Sequence, residues 1–187
     1  MMWDFPVSVE IDGEVHEIEN ECDYRVVLDC LSVYEDPDID VETKHKLAFF
    51  IFYKNPKQIT DVAAAIKEML KIINFTTDEP KQSAPTEHNA PQLMMWSKDF
   101  KFIAPAVSRV LGYDVRTPGK YTHWWTFLGA YMEIGECTWG TFISIRSKLM
   151  RGKRLEDWER EVYNEHKKDI DLPFIMSTDD SDWLNEL

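Results

Sequence analysis

The sequence has little positive charge. Its 21 lysines and arginines stand against 34 acidic residues, which gives a formal net charge of −13 at pH 7. Domains that bind nucleic acid typically carry a basic face that neutralises phosphate groups. The charge balance therefore disfavours general nucleic-acid binding, and we expect no nucleic-acid partner.

Long apolar runs and paired cysteines are also missing. The most apolar segment, LAFFIFY (47–53), is far shorter than the ~20 apolar residues of a membrane-spanning helix. The N-terminal MMWDFPVSVEIDGE has neither the basic start nor the apolar run of a signal peptide. The three cysteines are an odd number without a CxxC spacing, which favours reduced thiols. We therefore expect a cytoplasmic protein with no membrane partner.

Catalytic motifs are absent from the sequence. The seven glycines are scattered, and they form neither a phosphate-binding loop nor a dinucleotide-binding pattern. There is no GxSxG and no HExxH. The five histidines have no metal-ligand spacing with one another or with the cysteines. We therefore expect no catalytic residues, no cofactor and no metal.

The chain is nevertheless long enough to fold around a substantial core. A chain of this size buries roughly 70% of its unfolded surface. The segment TTDEPKQSAPTEHNAP (76–91) carries three prolines and is typical of a linker or a long surface loop. We divide the chain into an N-terminal part (1–75), a Pro-rich linker (76–93), a helical half (94–172) and an acidic tail (173–187). Together these parts are predicted to form one composite domain.

The first regular element is a β-hairpin. Residues 7–18, VSVEIDGEVHEI, alternate apolar and polar side chains around Asp12-Gly13, which is a strong signal for a two-residue hairpin turn. Pairing about that turn sets Val9 opposite His16. We interpret His16 as a structural residue at the edge of a small apolar surface.

Helical spacing of apolar residues predicts six or seven helices after the hairpin. The segments are 23–36, 41–54, 56–75, 97–111, 121–134, 138–150 and 155–169. Asp40 is a predicted N-cap, Asn55 and Pro56 are predicted to begin the third helix, and Gly112 to end the fourth. Pro105 predicts a kink or a delayed start in the fourth helix. The fold class is therefore mainly α, a helical bundle with a small N-terminal hairpin.

Large aromatic side chains are concentrated in HWWTFLGAYM (123–132) and in the helix that follows it. On a helical wheel of about 100° per residue the aromatic residues of this stretch share one broad apolar face, and His123 lies outside it. The shared face favours a buried core, and a groove for a partner stays open as the alternative. The residues concerned are Trp124, Trp125, Phe127, Tyr131, Trp139 and Phe142.

One charged residue lies on each of two apolar helix faces. Arg146 is in the middle of the face that the spacing assigns to Trp139, Phe142, Ile143, Leu149 and Met150. Asp99 lies on the same face as Ile103 and Ala106. Arginine is rarely buried without a partner. We therefore predict a buried or half-buried Asp99–Arg146 ion pair that sets the register of the two helices. The alternative is a first-turn Asp99 favoured by the helix dipole and an outward-turned Arg146.

The charges are unevenly distributed along the chain. Residues 1–40 have a net charge of −12, residues 101–154 of +6, and residues 155–187 of −8. This pattern suggests internal pairing or head-to-tail self-association, although solvated faces explain it equally well. Within the basic part, Lys148, Arg151, Lys153 and Arg154 form a candidate patch for phosphate or an acidic partner segment. A solvated turn is the alternative.

The order of these features resembles a phage family named for its fifteenth gene product, which occurs in tailed phages and prophages of Gram-positive hosts. The N-terminal part is similar in its Asp-Gly hairpin, its Tyr-Arg helix and its acidic Asp-Pro loop. The second half matches better, with HWWTF (123–127) followed by SIR (144–146). Cys22 and Tyr24 depart mildly from the family pattern. The resemblance extends to Leu172 and excludes the Pro-rich segment and the acidic tail.

The resemblance implies a tail assembly chaperone. Such proteins coat the tape-measure protein, recruit tail-tube subunits and are absent from the finished virion, which implies the host cytoplasm as their location. The alternative is a structural minor tail or connector protein of the virion. An enzyme built around His123 and a nucleic-acid binder acting through residues 146–154 are further alternatives, and the helical wheel argues against the former.

Overall fold

The structure is a computed structural model that describes residues 4–75 and 93–172. Within these residues the chain forms one two-stranded sheet and eight α-helices. The predicted fold class, mainly α with an N-terminal hairpin, is therefore confirmed. The predicted acidic tail and all of the predicted linker except Leu93 lie outside the described residues.

The hairpin packs its first strand on the core. Strands β1 (Ser8–Ile11) and β2 (Glu14–Glu17) are antiparallel, and Val9 lies opposite His16 as predicted. Asp12 and Gly13 have φ angles of 52° and 82°. Left-handed geometry at both turn residues suits the twist of a tight hairpin. The side chains of Val9 and Ile11 are buried, whereas β2 is largely exposed.

The helices follow in chain order and are mostly short. Their bounds are α1 (Tyr24–Glu35), α2 (Val41–Phe52), α3 (Val62–Ile73), α4 (Trp96–Leu111), α5 (Trp124–Met132), α6 (Thr138–Met150), α7 (Asp157–Glu165) and α8 (Lys167–Ile170). Five predicted helices agree with these bounds to within three residues at each end. The predicted caps at Asp40 and Gly112 are present, since Asp40 accepts from the Thr43 N–H and Gly112 is left-handed.

The third helix begins later than predicted. Pro56–Gln58 forms a separate 3-10 turn, and Asn55 makes no side-chain cap hydrogen bond. The reason is Asp61, whose carboxylate accepts from the Ala64 N–H at 2.9 Å. An aspartate in this position satisfies an otherwise unpaired N–H of the first turn, so the helix begins at Val62.

Two further expectations need correction. The predicted seventh helix is divided at His166, whose backbone (φ −111°, ψ 23°) leaves the helical region. His166 is both the C-cap of α7, where its N–H donates to the Val162 carbonyl at 2.9 Å, and the N-cap of α8. Of the two alternatives predicted for Pro105, the delayed start is wrong, because Pro105 lies inside α4 with its side chain on the exposed face.

One core joins the two halves of the chain. Its buried side chains come mainly from β1, from α1 to α5 and from Trp139 at the start of α6, with further ones from the connecting segments. A smaller cluster contains Phe142, Ile145, Leu155 and Ile170. Helix α6 therefore contributes to both clusters. Among the described helices, none is long and apolar enough to cross a bilayer.

Candidate functional site

Asp99 and Arg146 form the buried ion pair that the helix patterns predict. Two parallel bonds of 2.8 Å join the guanidinium Nη1 and Nη2 atoms to the two carboxylate oxygens. Nη1 also donates to the Leu93 carbonyl at 2.9 Å, while Nη2 and Nε donate to the carbonyls of Asp169 and Ile170 at 2.7 and 2.6 Å. All five N–H donors of a guanidinium are thus used.

This saturation gives Arg146 a structural role. It fastens α6 to the first turn of α4 and to the end of α8, and it holds Leu93 where the second half begins. Asp99 in turn accepts from the Met95 N–H at 2.9 Å. With no N–H left over, Arg146 is not available to bind a phosphate or carboxylate of a ligand.

The apolar face of α6 is shorter than the spacing predicts. Ile145 is buried beside Arg146, whereas the side chains of Leu149 and Met150 are 39% and 42% exposed. Both residues lie in the last turn of α6, where their side chains remain partly open to solvent. Ile145 was missed because its burial depends on α7 and α8.

The aromatic residues of α5 belong to the core. Trp124 and Phe127 are buried, and the half-buried Trp125 and Tyr131 pack against the same cluster. Both indoles donate a 3.0 Å hydrogen bond to a carbonyl in the last turn of α3, Trp124 to Ile73 and Trp125 to Ile72. Such carbonyls have no partner inside their own helix. The two tryptophans therefore close the end of α3.

Trp139 and Phe142 are also buried, one in each core cluster. Five of the six predicted aromatic residues thus lie on or against the main core and the sixth in the smaller one. None of them lines the groove described below. Their placement supports the core interpretation over a partner groove.

His123 is buried, contrary to the prediction that it lies at the margin of the apolar face. Its side chain is only 2% exposed. His123 lies before the first residue of α5, at the N-cap position. Nδ1 accepts from the Trp125 N–H at 3.0 Å, and Nε2 donates to the Pro6 carbonyl at 3.2 Å. Phe5 stacks on the ring at 4.5 Å. A helical wheel does not apply to a residue outside the helix.

Burial lowers the pKa of His123, although the Pro6 carbonyl and Asp23 act in the opposite direction. The imidazole is therefore neutral at pH 7, and both ring nitrogens are used. Neither nitrogen is available for proton transfer to a substrate. Cys22 and Cys30 are free thiols whose pKa is raised by burial to about 12. Both remain protonated and unreactive at neutral pH.

A groove of about 760 Å³ opens between the hairpin, the turn before α1 and the α4–α5 loop. Its walls combine apolar side chains with four acids and three bases, Arg25, Lys54 and Lys120. Two of these bases are neutralised within the wall, because Arg25 pairs with Asp23 and Lys54 with Glu17. The residues that define it here are Val7, Val15, Glu17, Glu19, Glu21 and Tyr121. Val15 is 70% exposed, and Glu19 and Glu21 have no ion-pair partner among the described residues. We name this feature the hairpin groove.

The floor of the hairpin groove has an unusual backbone. Asn20, Glu21 and Cys22 have φ angles of 44°, 53° and 61°, so three consecutive non-glycine residues are left-handed. This conformation costs roughly 1–2 kcal/mol per residue, less for asparagine. Tyr121 stabilises the turn, since its hydroxyl donates to the Glu21 carbonyl at 2.9 Å. The turn buries the Cys22 side chain while it directs the chain into α1.

The opposite wall is held by Arg25. Its guanidinium pairs with Asp23 at 3.1 Å and donates to the carbonyls of Val115, Thr117 and Lys120. Asp23 accepts from the Thr122 N–H as well. These bonds fix the α4–α5 loop against the start of α1. The hairpin groove is therefore built on rigid contacts between both halves of the chain.

The basic patch predicted around the end of α6 is smaller than expected. Lys148 is paired with Glu159, whose two carboxylate oxygens lie 2.7 Å from its Nζ atom. The pair raises the pKa of Lys148 and lowers that of Glu159. Arg151, Lys153 and Arg154 are exposed, and no carboxylate of the described residues pairs with them. Of the four bases predicted for this patch, three are therefore open to a partner.

The arrangement offers no candidate metal centre among residues 4–75 and 93–172. No three His, Cys, Asp or Glu side chains lie where they could share a metal ion. Two surface features of the described residues are considered for function below, the hairpin groove and the open bases after α6.

These observations define the class as a mainly helical protein with an N-terminal hairpin and a buried Asp–Arg pair. The model of a family described as "Bacteriophage Gp15 protein" matches residues 2–172. The chain belongs to this family and is therefore a phage-related protein, which confirms the family resemblance seen in the sequence. The matched range includes the Pro-rich segment, which the resemblance had excluded. No curated protein and no solved structure matches it.

Proposed function

We propose that the protein is a phage tail assembly chaperone. It binds the tape-measure protein, recruits tail-tube subunits during tail assembly, and acts by binding without catalysis. The host cytoplasm is its proposed location, and it is not expected in the mature virion. Family membership supports a phage role, and the hairpin groove is the observation that carries the choice of a chaperone.

The hairpin groove suits one kind of occupant. A long amphipathic helix presents an apolar stripe that needs an apolar surface to cover it. Val7, Val15 and Tyr121 offer such a surface, and each is at least two-fifths exposed. Glu19 and Glu21 lie beside it and favour lysine or arginine flanking the stripe. The groove is thus complementary to a basic amphipathic helix, which is the chemistry proposed for the tape-measure segment.

The first test is co-expression with the tape-measure protein of the same phage. We expect the tape-measure protein to stay soluble and to copurify with the chaperone. Val15→Lys places a positive charge in the groove and is expected to weaken the complex about tenfold or more, as for an interface position that becomes charged. The measurement is the Kd by titration and the soluble fraction after co-expression.

Val41→Lys is the matched control. Val41 is 67% exposed on α2 and does not line the hairpin groove, so the same substitution there should leave the complex unchanged. A tape-measure protein that remains insoluble with the wild-type chain would end the proposal. Detection of the protein in purified particles would instead favour the structural alternative, a minor tail or connector protein.

A further inference from the structure

The end of α6 presents a rigid surface that combines positive charge and apolar area. Gly152 is left-handed (φ 61°), and its N–H donates to the Leu149 carbonyl while the Lys153 N–H donates to the Lys148 carbonyl at 2.8 Å. This hydrogen-bond pattern closes the helix and turns the chain sharply. Lys153 and Arg154 therefore follow Arg151 in a defined geometry.

We name this surface the α6 patch and define it by Leu149, Met150, Arg151, Lys153 and Arg154. All five side chains are exposed. Leu149 and Met150 are not covered by another described element, and the three bases have no carboxylate partner among the described residues. Three neighbouring open bases are unusual in a chain with a net charge of −13.

The segment 173–187 of the same chain has the complementary composition. It carries Asp179, Asp180 and Asp182, followed at once by Trp183 and Leu184. The acids precede the apolar residues here, whereas in the α6 patch the two apolar residues precede the three bases. The two segments therefore match in antiparallel orientation, with opposite charge. Charge complementarity of this kind selects a partner and its register more than it adds affinity.

The described part of the chain ends close to the patch. The carbonyls of Asp169 and Ile170 accept from Arg146, which lies five residues before Arg151 on the same helix. Five helical residues span about 7.5 Å. The chain from Leu172 to Asp179 extends up to about 23 Å, so the acidic residues reach the patch without displacing α8.

We propose that segment 179–187 binds the α6 patch of its own chain. Asp179, Asp180 and Asp182 pair with the three bases, and Trp183 with Leu184 covers Leu149 and Met150. An intramolecular contact over a short connection has an effective concentration of about millimolar. The contact within one chain is therefore favoured over the same contact between two dilute copies, and it shields the patch from other acidic segments.

The test uses the full-length protein labelled with nitrogen-15. The amide resonance of Gly152 reports on the patch, and that of Gly119 in the α4–α5 loop serves as the internal reference. Two tail variants are expected to shift the Gly152 resonance and to accelerate the hydrogen exchange of its amide severalfold. One is Asp179→Asn/Asp180→Asn/Asp182→Asn, and the other is Trp183→Ala/Leu184→Ala. Gly119 is expected to stay unchanged. Added salt should produce the same shift of Gly152, because it screens exposed charges.

Two controls decide the interpretation. Asp36→Asn/Asp38→Asn removes two acids from the α1–α2 loop and should leave Gly152 unaffected. Arg151→Glu/Arg154→Glu should release the segment, and adding Asp179→Arg/Asp182→Arg should restore the protected Gly152 amide. An unchanged Gly152 in the tail variants overturns the proposal. Dilution of the wild-type protein should leave the Gly152 resonance in place. If dilution moves it to the position seen in the tail variants, the contact belongs to a second copy and the proposal is overturned.

Discussion

At the scale of single residues, Arg146 shows how a buried charge can be accommodated. Transfer of a guanidinium from water is costly unless partners replace the lost water. Here one carboxylate and three backbone carbonyls occupy all its donors. The pair is therefore part of a network, and the network connects three segments of the chain, residues 93–99, α6 and α8.

Replacing Arg146 should destabilise the fold strongly. We expect Arg146→Met to lower the free energy of unfolding by about 3–5 kcal/mol, because Asp99 is left buried without a counter-charge. Arg146→Lys keeps the charge but has three donors instead of five, so a smaller loss is expected. The measurement is urea unfolding followed by circular dichroism.

Arg151→Met is the matched control for this prediction. It is the same change on an exposed residue at the end of α6 and should alter the stability by no more than about 0.5 kcal/mol. In simple buried pairs, hydrophobic replacement of both partners is often neutral. Asp99→Leu/Arg146→Met should stay destabilised here, because the carbonyls of Leu93, Asp169 and Ile170 lose their donor. Full recovery in the double variant would contradict the network.

His123 gives a pH-dependent contribution at the same scale. Its folded-state pKa is lowered by burial, while the unfolded chain titrates near 6.5. The unfolded state therefore takes up a proton first as the pH falls. Protonation of Nδ1 also removes the acceptor for the Trp125 N–H. The stability that neutral His123 contributes is present above about pH 6.5 and is lost as the pH falls towards the folded pKa.

His123→Asn tests this contribution. Asparagine can cap α5 through its side-chain oxygen but does not titrate in this range. We expect the free energy of unfolding of the wild-type protein to fall between about pH 7 and pH 5, and the variant to show a shallower dependence there. Equal slopes for the two proteins would show that His123 is not responsible.

At the scale of elements, α4 begins without a cap of its own. Met95 stands at the N-cap position and has no side-chain acceptor. Glu35, at the end of α1, supplies the missing acceptor. The Glu35 carboxylate accepts from the N–H groups of Trp96 and Ser97. The first turn of a helix favours a negative charge. A residue 61 positions away thus completes the helix end, and no local motif could indicate it.

Glu35→Ala should cost about 0.5–2 kcal/mol of unfolding free energy, as for the loss of a helix cap. Glu42→Ala is the control, because its exposed pair with Lys46 is worth less than about 0.5 kcal/mol. Amide hydrogen exchange of Trp96 and Ser97 should accelerate in the first variant only. Similar losses for both variants would argue against a cap at α4.

Local signals predicted the elements where the deciding interaction is itself local. Asp40 bonds to a backbone N–H three residues on, and Gly112 adopts the left-handed conformation that ends α4. The start of the third helix was predicted too early, because Asn55-Pro56 and Asp61 are both plausible local starts. The carboxylate of Asp61 is the better hydrogen-bond acceptor. The left-handed turn was not predicted, because Glu21 and Cys22 rarely adopt this conformation without tertiary support.

At the scale of the whole molecule, the two halves of the chain share one core. Trp124 from the second half bonds to Ile73 of the first, and the Tyr24 hydroxyl donates to the Val115 carbonyl. The predicted segments 1–75 and 94–172 are thus joined by buried contacts. The same packing builds the hairpin groove, whose two walls come from different halves. The hairpin groove exists only in the assembled fold. The α6 patch likewise depends on how the helices of that fold pack.

The sequence by itself determined the helical periods, the Asp-Gly hairpin, the need of Arg146 for a partner, and the family. These follow from spacing along the chain and from the cost of burying an unpaired charge. Only the tertiary structure decided that His123 is buried, that Lys148 forms an ion pair with Glu159, and that the apolar side chains in the last turn of α6 are exposed. Burial and pairing depend on which elements pack together, and local spacing does not contain that information.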